Sequence, residues 1–135
     1  MPDAVQTDTE SSRAALEILR KRPDFLAAAQ ARRQPRPAFV LQARQRRGED
    51  PPGPVRVGFT CSKKVGNAVA RNRAKRRLRE AARLVLTQAG RPGWDYVLIG
   101  RRDKTASVDF SQLCSDLEAA VGAIHAPRPP KKRRS

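Results

Sequence analysis

Residues 55–90 read VRVGFTCSKKVGNAVARNRAKRRLREAARLVLTQAG, and the hydrophobic period changes within this stretch. Apolar residues alternate with other residues from position 55 to 61, which predicts a strand with one face toward a core. From Asn67 to about Gln88 the apolar residues return at helical spacing in one narrow stripe. A strand followed by a long helix predicts an α/β layer structure.

The two faces of the strand predicted over residues 55–61 differ in chemistry. One face is apolar and should pack on helices. It carries Val55, Val57, Phe59 and Cys61. The other face is small and mostly polar, which leaves it open to a ligand. It carries Arg56, Gly58 and Thr60 and continues to Ser62.

The flanking sequence supplies further elements. Apolar residues near positions 16–19 and 26–31 predict helix, interrupted at Arg22-Pro23, and Asp24 suits the start of the second helix, with Phe25 and Leu26 in its first turn. Residues 38–43 predict a strand. Gly and Pro in residues 46–54 predict a loop. Residues 95–100 predict a strand buried on both faces, and a last helix should begin at Asp109 or Ser111. We therefore expect one domain over residues 13–126, a flexible tail over 1–12 and a disordered basic tail over 127–135.

Positive charge is concentrated in one part of the chain. The 135 residues include 29 Lys+Arg and 13 Asp+Glu, a net charge of +16, and residues 56–83 hold ten basic residues and one acidic residue. A cationic surface of this density indicates a polyanionic partner, and nucleic acid is the usual one. A membrane partner is disfavoured because the apolar stripe is narrow and rich in Ala. No apolar run approaches a membrane span, and residues 1–10 lack signal-peptide features, so we expect a cytoplasmic protein.

The long predicted helix presents arginines opposite its apolar stripe. Its basic side carries Arg73, Arg76, Arg79 and Arg83, joined by Asn72. Like charges three and four residues apart repel one another, and only Glu80 interrupts them, so this side is typical of polyanion binding. The helix start adds free backbone N–H groups that suit phosphate.

The residues of familiar catalytic sites are scarce in this sequence. Cys61, Cys114 and the single His125 are too few to complete a structural zinc site. No Gly-Lys pair is present, which excludes a phosphate-binding loop of the Walker type. We therefore predict no catalytic residue in the protein.

Residues 56–79 closely resemble the signature of the protein subunit of bacterial ribonuclease P. The matching motifs are the R-V-G strand, S-K-K-x-G-N-A-V and R-N-R-x-K-R-x-x-R, and the resemblance extends over roughly residues 16–125. It implies a single-domain two-layer α/β sandwich in the order αβββαβα, with a left-handed βαβ crossover. The general rule for such connections predicts a right-handed one. One of the short strands is expected from the resemblance alone.

The resemblance also implies a function. Members of this family assist the endonucleolytic removal of the 5′ leader from precursor tRNA. The catalyst is an RNA subunit that holds the Mg²⁺ ions, and the protein is an accessory to it. The implied partners are the ribonuclease P RNA and precursor tRNA, with no membrane and no further protein required.

Two sets of site residues follow from the resemblance. The first set is expected to contact the catalytic RNA and consists of Lys63, Lys64, Asn67, Arg71, Asn72, Arg73, Lys75, Arg76, Arg77 and Arg79. The second set is expected to line a cleft for the single-stranded leader and consists of Phe25, Phe39, Thr60 and Ser62. Two positions that are commonly aromatic in the family are Ala29 and Gln42 here, which thins the platform for base stacking.

Two other readings of the sequence remain open. A ribosomal or assembly RNA-binding protein without an enzymatic role has a similar composition, although the R-N-R signature and the polar strand face favour the first reading. A DNA-binding regulator would need a recognition helix with mixed base-reading side chains. The almost uniform Arg and Lys of this helix suit phosphates better than base edges.

Overall fold

The structure is a computed structural model that describes residues 16–49 and 51–126. Five strands and four helices are present in this part of the chain. In chain order they are β1 (Leu16–Ile18), α1 (Arg22–Ala29), β2 (Arg32–Pro35), β3 (Phe39–Gln45), β4 (Val55–Thr60), α2 (Ala68–Ala89), β5 (Trp94–Gly100), α3 (Lys104–Ser107) and α4 (Phe110–His125). A 3-10 turn, Lys63–Val65, precedes α2. The tails predicted over 1–12 and 127–135 lie outside the described residues.

The five strands form one mixed sheet in the order β1-β4-β5-β3-β2. Strand β4 is parallel to both β1 and β5, whereas β3 is antiparallel to β5 and β2. Helix α2 connects the parallel neighbours β4 and β5, so these elements form a βαβ unit. The predicted mixed α/β single domain is confirmed, while the left hand of this crossover stays a prediction.

Helices cover both faces of the sheet. Helices α2 and α4 pack on one face, which we call the core face, where Leu41, Val57 and Leu98 are almost fully buried. Helix α1 packs on the other face, which we call the α1 face, around a smaller cluster centred on Leu19, Ala28 and Val97. The main core therefore lies on one side of the sheet and leaves part of the other side accessible.

Helix α2 has the polarity that the sequence predicts. The predicted stripe is buried, and it consists of Ala74, Leu78, Ala81, Ala82 and Val85. At the helix start, the Asn67 side chain accepts a hydrogen bond of 2.9 Å from the backbone N–H of Ala70, which caps the helix. Gly90 follows the last helical residue in an extended conformation, and its N–H donates to Leu86 O at 2.9 Å.

The predicted helix at residues 16–19 is wrong. Leu16–Ile18 pair in parallel with residues 55–57 of β4, and the N–H of Leu19 donates to Val57 O at 2.8 Å. A segment of three or four residues is too short to form a stable helix, whereas the edge of β4 offers it hydrogen-bond partners. Tertiary pairing therefore overrides local propensity. Strand β1 is additional to the implied αβββαβα order.

The second predicted helix begins within two residues of the predicted start at Asp24 and ends at Ala29, before the predicted end at residue 31. Helix α1 covers Arg22–Ala29, with Pro23 in its first turn, where the missing N–H of proline is tolerated. The chain then turns at Gln30 and pairs with β3 as strand β2. Strand β2 therefore supplies the short strand that only the resemblance implied.

Candidate nucleic-acid interface

The exposed side of α2 forms a continuous basic surface, which we call the basic helix face. It consists of Asn72, Arg73, Arg76, Arg79 and Arg83, all of which are exposed. The apolar stripe on the opposite side fixes this orientation by packing on the sheet. Glu80 pairs with Arg83, with Arg83 Nε 3.3 Å from Glu80 Oε1, but both side chains are solvated and the pair contributes little to stability. The face as a whole remains strongly cationic.

The turn before α2 brings a further cation to the start of the helix. Val65 is 8% exposed and anchors the turn, and Ser62 Oγ accepts a hydrogen bond of 3.2 Å from the N–H of Lys64. Gly66 adopts φ 145°, and an added Cβ there would lie 2.8 Å from Ala70 Cβ, so the tight turn requires glycine. Lys64 is consequently exposed beside the free N–H groups of the helix. The side chain of Lys63 lies outside the described part of the chain.

Arg77, which the resemblance places at the RNA, is hydrogen-bonded within the protein. Its Nη1 donates to Thr105 O at 2.9 Å and its Nη2 donates to Val108 O at 2.5 Å, while the guanidinium lies 6.0 Å from the Phe110 ring centroid. Position 77 lies between the buried stripe and the exposed side of the helix, so its side chain reaches the neighbouring elements. Arg77 therefore joins α2 to α3 and α4.

Three other predicted RNA contacts are partly committed to the protein or partly covered. Arg71 is half-buried and its Nη1 donates to Gly66 O at 3.0 Å, and Lys75 is also half-buried. Asn67 remains exposed, but its side-chain oxygen serves as the helix cap. Arg79 is exposed, with its guanidinium 5.6 Å from the Phe59 ring centroid. The most available cations of the predicted set are Lys64, Arg73, Arg76 and Arg79.

Phe25, which the resemblance predicts in the leader cleft, lies where α1 meets the α1 face of the sheet. The ring is half-buried and rests directly over Gly58, where an added Cβ would lie 2.5 Å from Phe25 Cε1 and Cζ. Thr60 is half-buried on the same face, in register with Ile99, and Ser62 follows at the exposed end of the strand. The predicted open strand face is therefore covered at Gly58 and accessible at Thr60.

The prediction that Phe39 lines the cleft is wrong. Phe39 is 1% exposed and belongs to the main core. Because β3 pairs Phe39 with Gly100 and Val40 with Ile99, alternation places Val40 and Gln42 on the α1 face instead. Gln42, which the sequence marks as a departure from the family pattern, is 6% exposed there.

A buried carboxylate organises the end of the sheet beside α1. Asp95 is fully buried; its Oδ1 is 2.5 Å from Arg46 Nη1 and 2.8 Å from Arg56 Nε. Arg56 also lies 3.5 Å from Asp24 of α1, and hydrogen bonding to Asp95 raises the pKa of Arg56. No pattern in the sequence predicts this network, because Asp95 stands there only as a polar residue at the start of a strand.

The described residues show neither a metal cluster nor a spanning helix. Nowhere in residues 16–49 and 51–126 do three His, Cys, Asp or Glu side chains come together in a way that would hold a metal ion. Within the same ranges, no helix has the length and apolar character to cross a membrane.

Known proteins resemble this chain in sequence and in fold. The model of the family described as Ribonuclease P matches residues 14–125. The Ribonuclease P protein component of Ruegeria pomeroyi is 60% identical over 129 residues, which is 96% of this chain and 100% of that protein. The RNase P protein from Thermotoga maritima superposes with a TM-score of 0.66 at 28% identity, covering 82% of this chain and 99% of that one. An RNase P protein from Staphylococcus aureus shares the fold, with a TM-score of 0.64 at 24% identity over 80% of this chain and 94% of that one.

Proposed function

This chain belongs to the ribonuclease P protein family, and from that premise we propose that it is the protein subunit of a bacterial ribonuclease P. In this role it assists the removal of the 5′ leader from precursor tRNA, an endonucleolytic reaction catalysed by the RNA subunit, and broadens the range of substrates. The observation that carries the proposal is the basic helix face, where Asn72, Arg73, Arg76 and Arg79 of the R-N-R signature lie on the exposed side of a capped helix.

The basic helix face binds phosphates of the RNA subunit in this proposal. Arg73, Arg76 and Arg79 are exposed and three residues apart on the same side of the helix, so they can contact phosphates along one RNA strand. Lys64 adds a charge beside the backbone N–H groups at the helix start. Neutralising this phosphate density lowers the repulsion between the RNA subunit and precursor tRNA.

The α1 face receives the leader in this proposal. Phe25 supplies a half-buried aromatic surface, while Thr60 and the exposed Ser62 supply hydroxyl groups. Phe39 takes no part, because it is buried in the core on the other side of the sheet. With a single aromatic residue of the predicted set in the cleft, we expect leader binding to depend more on backbone contacts than on stacking.

Magnesium is assigned mainly to the RNA subunit in this proposal. The described residues do not assemble a carboxylate cluster that fits the ion. The protein contributes positive charge, which lowers the Mg²⁺ concentration that the RNA needs for activity. We further propose that the protein works in the cytoplasm, without a membrane and without another protein partner.

Reconstitution at low Mg²⁺ tests this proposal. The purified protein is mixed with a bacterial ribonuclease P RNA and a precursor tRNA under conditions in which the RNA alone is nearly inactive. We expect cleavage at the mature 5′ end to be restored. RNA binding without restored cleavage would favour the ribosomal or assembly reading instead.

The leader assignment has its own test in Phe25→Ala. Loss of one stacked base costs about 1–3 kcal/mol, so we expect the variant to bind precursor tRNA more weakly, by about fivefold or more, while mature tRNA binding is retained. The measurement is the Kd of the holoenzyme for each tRNA, with Phe25→Leu as a variant that keeps bulk but not the aromatic ring. An equal loss on both tRNAs would show that Phe25 only supports the packing of α1.

A further inference from the structure

A second cationic surface lies away from the basic helix face. It is a cleft of about 860 Å³, which we call the arginine cleft, at the end of β3 and the beginnings of β2 and β5. Its charged and aromatic lining consists of Arg32, Arg44, Arg46, Arg47, Glu49 and Trp94.

The sheet register places the arginine cleft at the opposite end of the strands from the start of α2. Arg44 of β3 is paired with Asp95, and Asp95 is paired with Arg56, so the cleft lies beside the beginnings of β4 and β5. Helix α2 starts after Thr60, at the other end of β4. Six residues of strand separate these ends by roughly 17–20 Å.

Among the described residues, most of the arginines of the cleft have no carboxylate partner. Arg46 is neutralised by Glu49 at 2.8 Å and by the buried Asp95. Arg44 stands opposite Asp95 in the register, but that carboxylate already bonds Arg46 and Arg56. Within residues 16–49 and 51–126, the ion pairs leave Arg32, Arg44 and Arg47 without an acidic partner. Three uncompensated guanidinium groups in one concavity favour an anionic ligand.

The cleft is shaped for backbone phosphates. Arg32 is held in place because its Nη1 donates to Ile124 O at 2.7 Å and its guanidinium lies 5.4 Å from the Trp94 ring centroid. Trp94 is only 8% exposed, so it offers no free ring face to an unstacked base. Small residues, Ala27, Ala31 and Gly48, complete the wall and leave room for an approaching strand. Guanidinium groups bind phosphates in a bidentate manner, and an RNA helix presents phosphates while its bases stay stacked.

We propose that the arginine cleft binds the phosphate backbone of a helical segment of the ribonuclease P RNA. This inference rests on the proposed function, which supplies the RNA partner. The leader is assigned to Phe25 and to the Thr60 end of the sheet. The arginine cleft touches α1 at Ala27 but lies toward the other end of the strands, where its arginines suit the phosphates of a duplex. The RNA subunit would then contact the protein at both ends of its sheet, through the basic helix face and through the arginine cleft.

The test compares two double variants in binding to the RNA subunit. Arg44→Ala with Arg47→Ala removes two charges from the cleft, and Arg20→Ala with Arg22→Ala removes two from exposed positions outside both surfaces. We expect the cleft variant to bind ribonuclease P RNA about tenfold more weakly near 0.15 M salt and to flatten the plot of log K against log[salt] by about 1.8. The control should retain most of the wild-type affinity. Thermal melting of each variant checks that the fold is intact.

Trp94 provides a second, independent measurement. It is the only tryptophan of the chain and lines the cleft, so RNA bound there should change its fluorescence. We expect this change in the wild type and, at saturating RNA, in Arg73→Ala with Arg76→Ala. The cleft variant should lose it.

Each contrary outcome has a distinct meaning. An unchanged salt slope in the cleft variant, or an equal loss in the control pair, would overturn the cleft as an RNA site while leaving the basic helix face intact. A loss confined to precursor tRNA with a long leader would overturn the RNA subunit as the ligand. Failure of the wild type to bind ribonuclease P RNA would overturn the proposed function, and this inference with it.

Discussion

At the scale of single residues, a missing side chain at Gly58 sets how closely α1 approaches the sheet. The ring of Phe25 occupies the space that a Cβ would need, and Leu19 Cβ would lie 3.1 Å from that atom. Phe25 belongs to α1 and touches the smaller cluster around Val97. The position of the Phe25 ring therefore depends on a glycine in the neighbouring strand.

Gly58→Ala should destabilise the protein by about 1–3 kcal/mol, because the added methyl group overpacks the contact with Phe25. Gly122→Ala is the matched control: nothing lies within 4 Å of its added Cβ, and its site inside α4 favours alanine by roughly 0.5–1 kcal/mol. The measurement is the free energy of unfolding in urea. A Gly58→Ala protein as stable as the wild type would mean that α1 moves away from the sheet at little cost.

His125 is a second residue whose setting has a measurable consequence. Tyr96 Oη accepts a hydrogen bond of 2.9 Å from the N–H of Arg91 and shares a hydrogen bond of 2.6 Å with His125 Nε2. Burial, with the charges of Arg91 and Arg32, lowers the pKa of His125 from 6.5 to about 4. The folded protein therefore keeps this imidazole neutral at pH values where the unfolded chain protonates it.

This histidine should make the protein less stable in mild acid. Between pH 6.5 and about 4 the unfolded state binds the extra proton, so stability falls as the pH falls through that window and the effect of this group levels off below it. With a discount for solvent screening, we expect a loss of about 1–2 kcal/mol. Urea unfolding at pH 7 and pH 4.5 should show a smaller loss for His125→Gln than for the wild type. Equal losses in the two proteins would assign the acid sensitivity to the carboxylates.

At the scale of elements, one face of α2 packs in the core and the opposite face is available to a ligand. Its buried stripe holds the βαβ unit together, and its exposed arginines are left for a ligand. The exposed side chains contribute little to packing, so they can be removed without unfolding the helix. The basic helix face can therefore be tested by substitutions that leave the fold intact.

Arg73→Ala with Arg76→Ala should weaken assembly with the RNA subunit while the melting temperature stays near that of the wild type. Each lost phosphate contact flattens the salt dependence by about 0.7–0.9, so the double variant should lose roughly 1.4–1.8 from the slope. Binding isotherms across a salt series measure this value. A slope equal to that of the wild type would remove the basic helix face from the RNA interface.

The length of an element, and whether its contacts are local, decide whether the sequence predicts it. The stripe of α2 repeats over 22 residues, so both its length and its orientation were predictable. Strand β1 has three residues and owes its conformation to the edge of β4, a contact that no local pattern contains. The burial of Phe39 depends on the register of β3 with β5, and the partners of Arg77 are carbonyl groups of residues 105 and 108. Both depend on the tertiary structure, which local sequence patterns do not show.

At the scale of the whole molecule, the free protein carries an unbalanced charge. The net charge is +16, and the basic helix face and the arginine cleft each concentrate cations with few acidic partners. Such a distribution works against folding through self-repulsion and in favour of binding a polyanion. The same charges therefore destabilise the folded protein and strengthen its binding to a polyanion.

Salt should separate these effects. Raising the concentration of NaCl from about 0.02 M to about 0.5 M shortens the screening length to a few ångströms, so the melting temperature of the free protein should rise while its affinity for RNA falls. Differential scanning calorimetry and binding measurements in the same buffers provide the comparison. A melting temperature that falls with salt would mean that attractive ion pairs, such as those around Asp95, outweigh the repulsion.

The edge of the sheet at β2 has a consequence for the protein before it meets any partner. Strand β2 has four residues, two of which are arginines, and it ends in Pro35, which has no N–H to donate. A short, charged edge that ends in proline is a poor template for the addition of a strand from another molecule. This edge therefore protects the unbound protein from aggregation through strand addition.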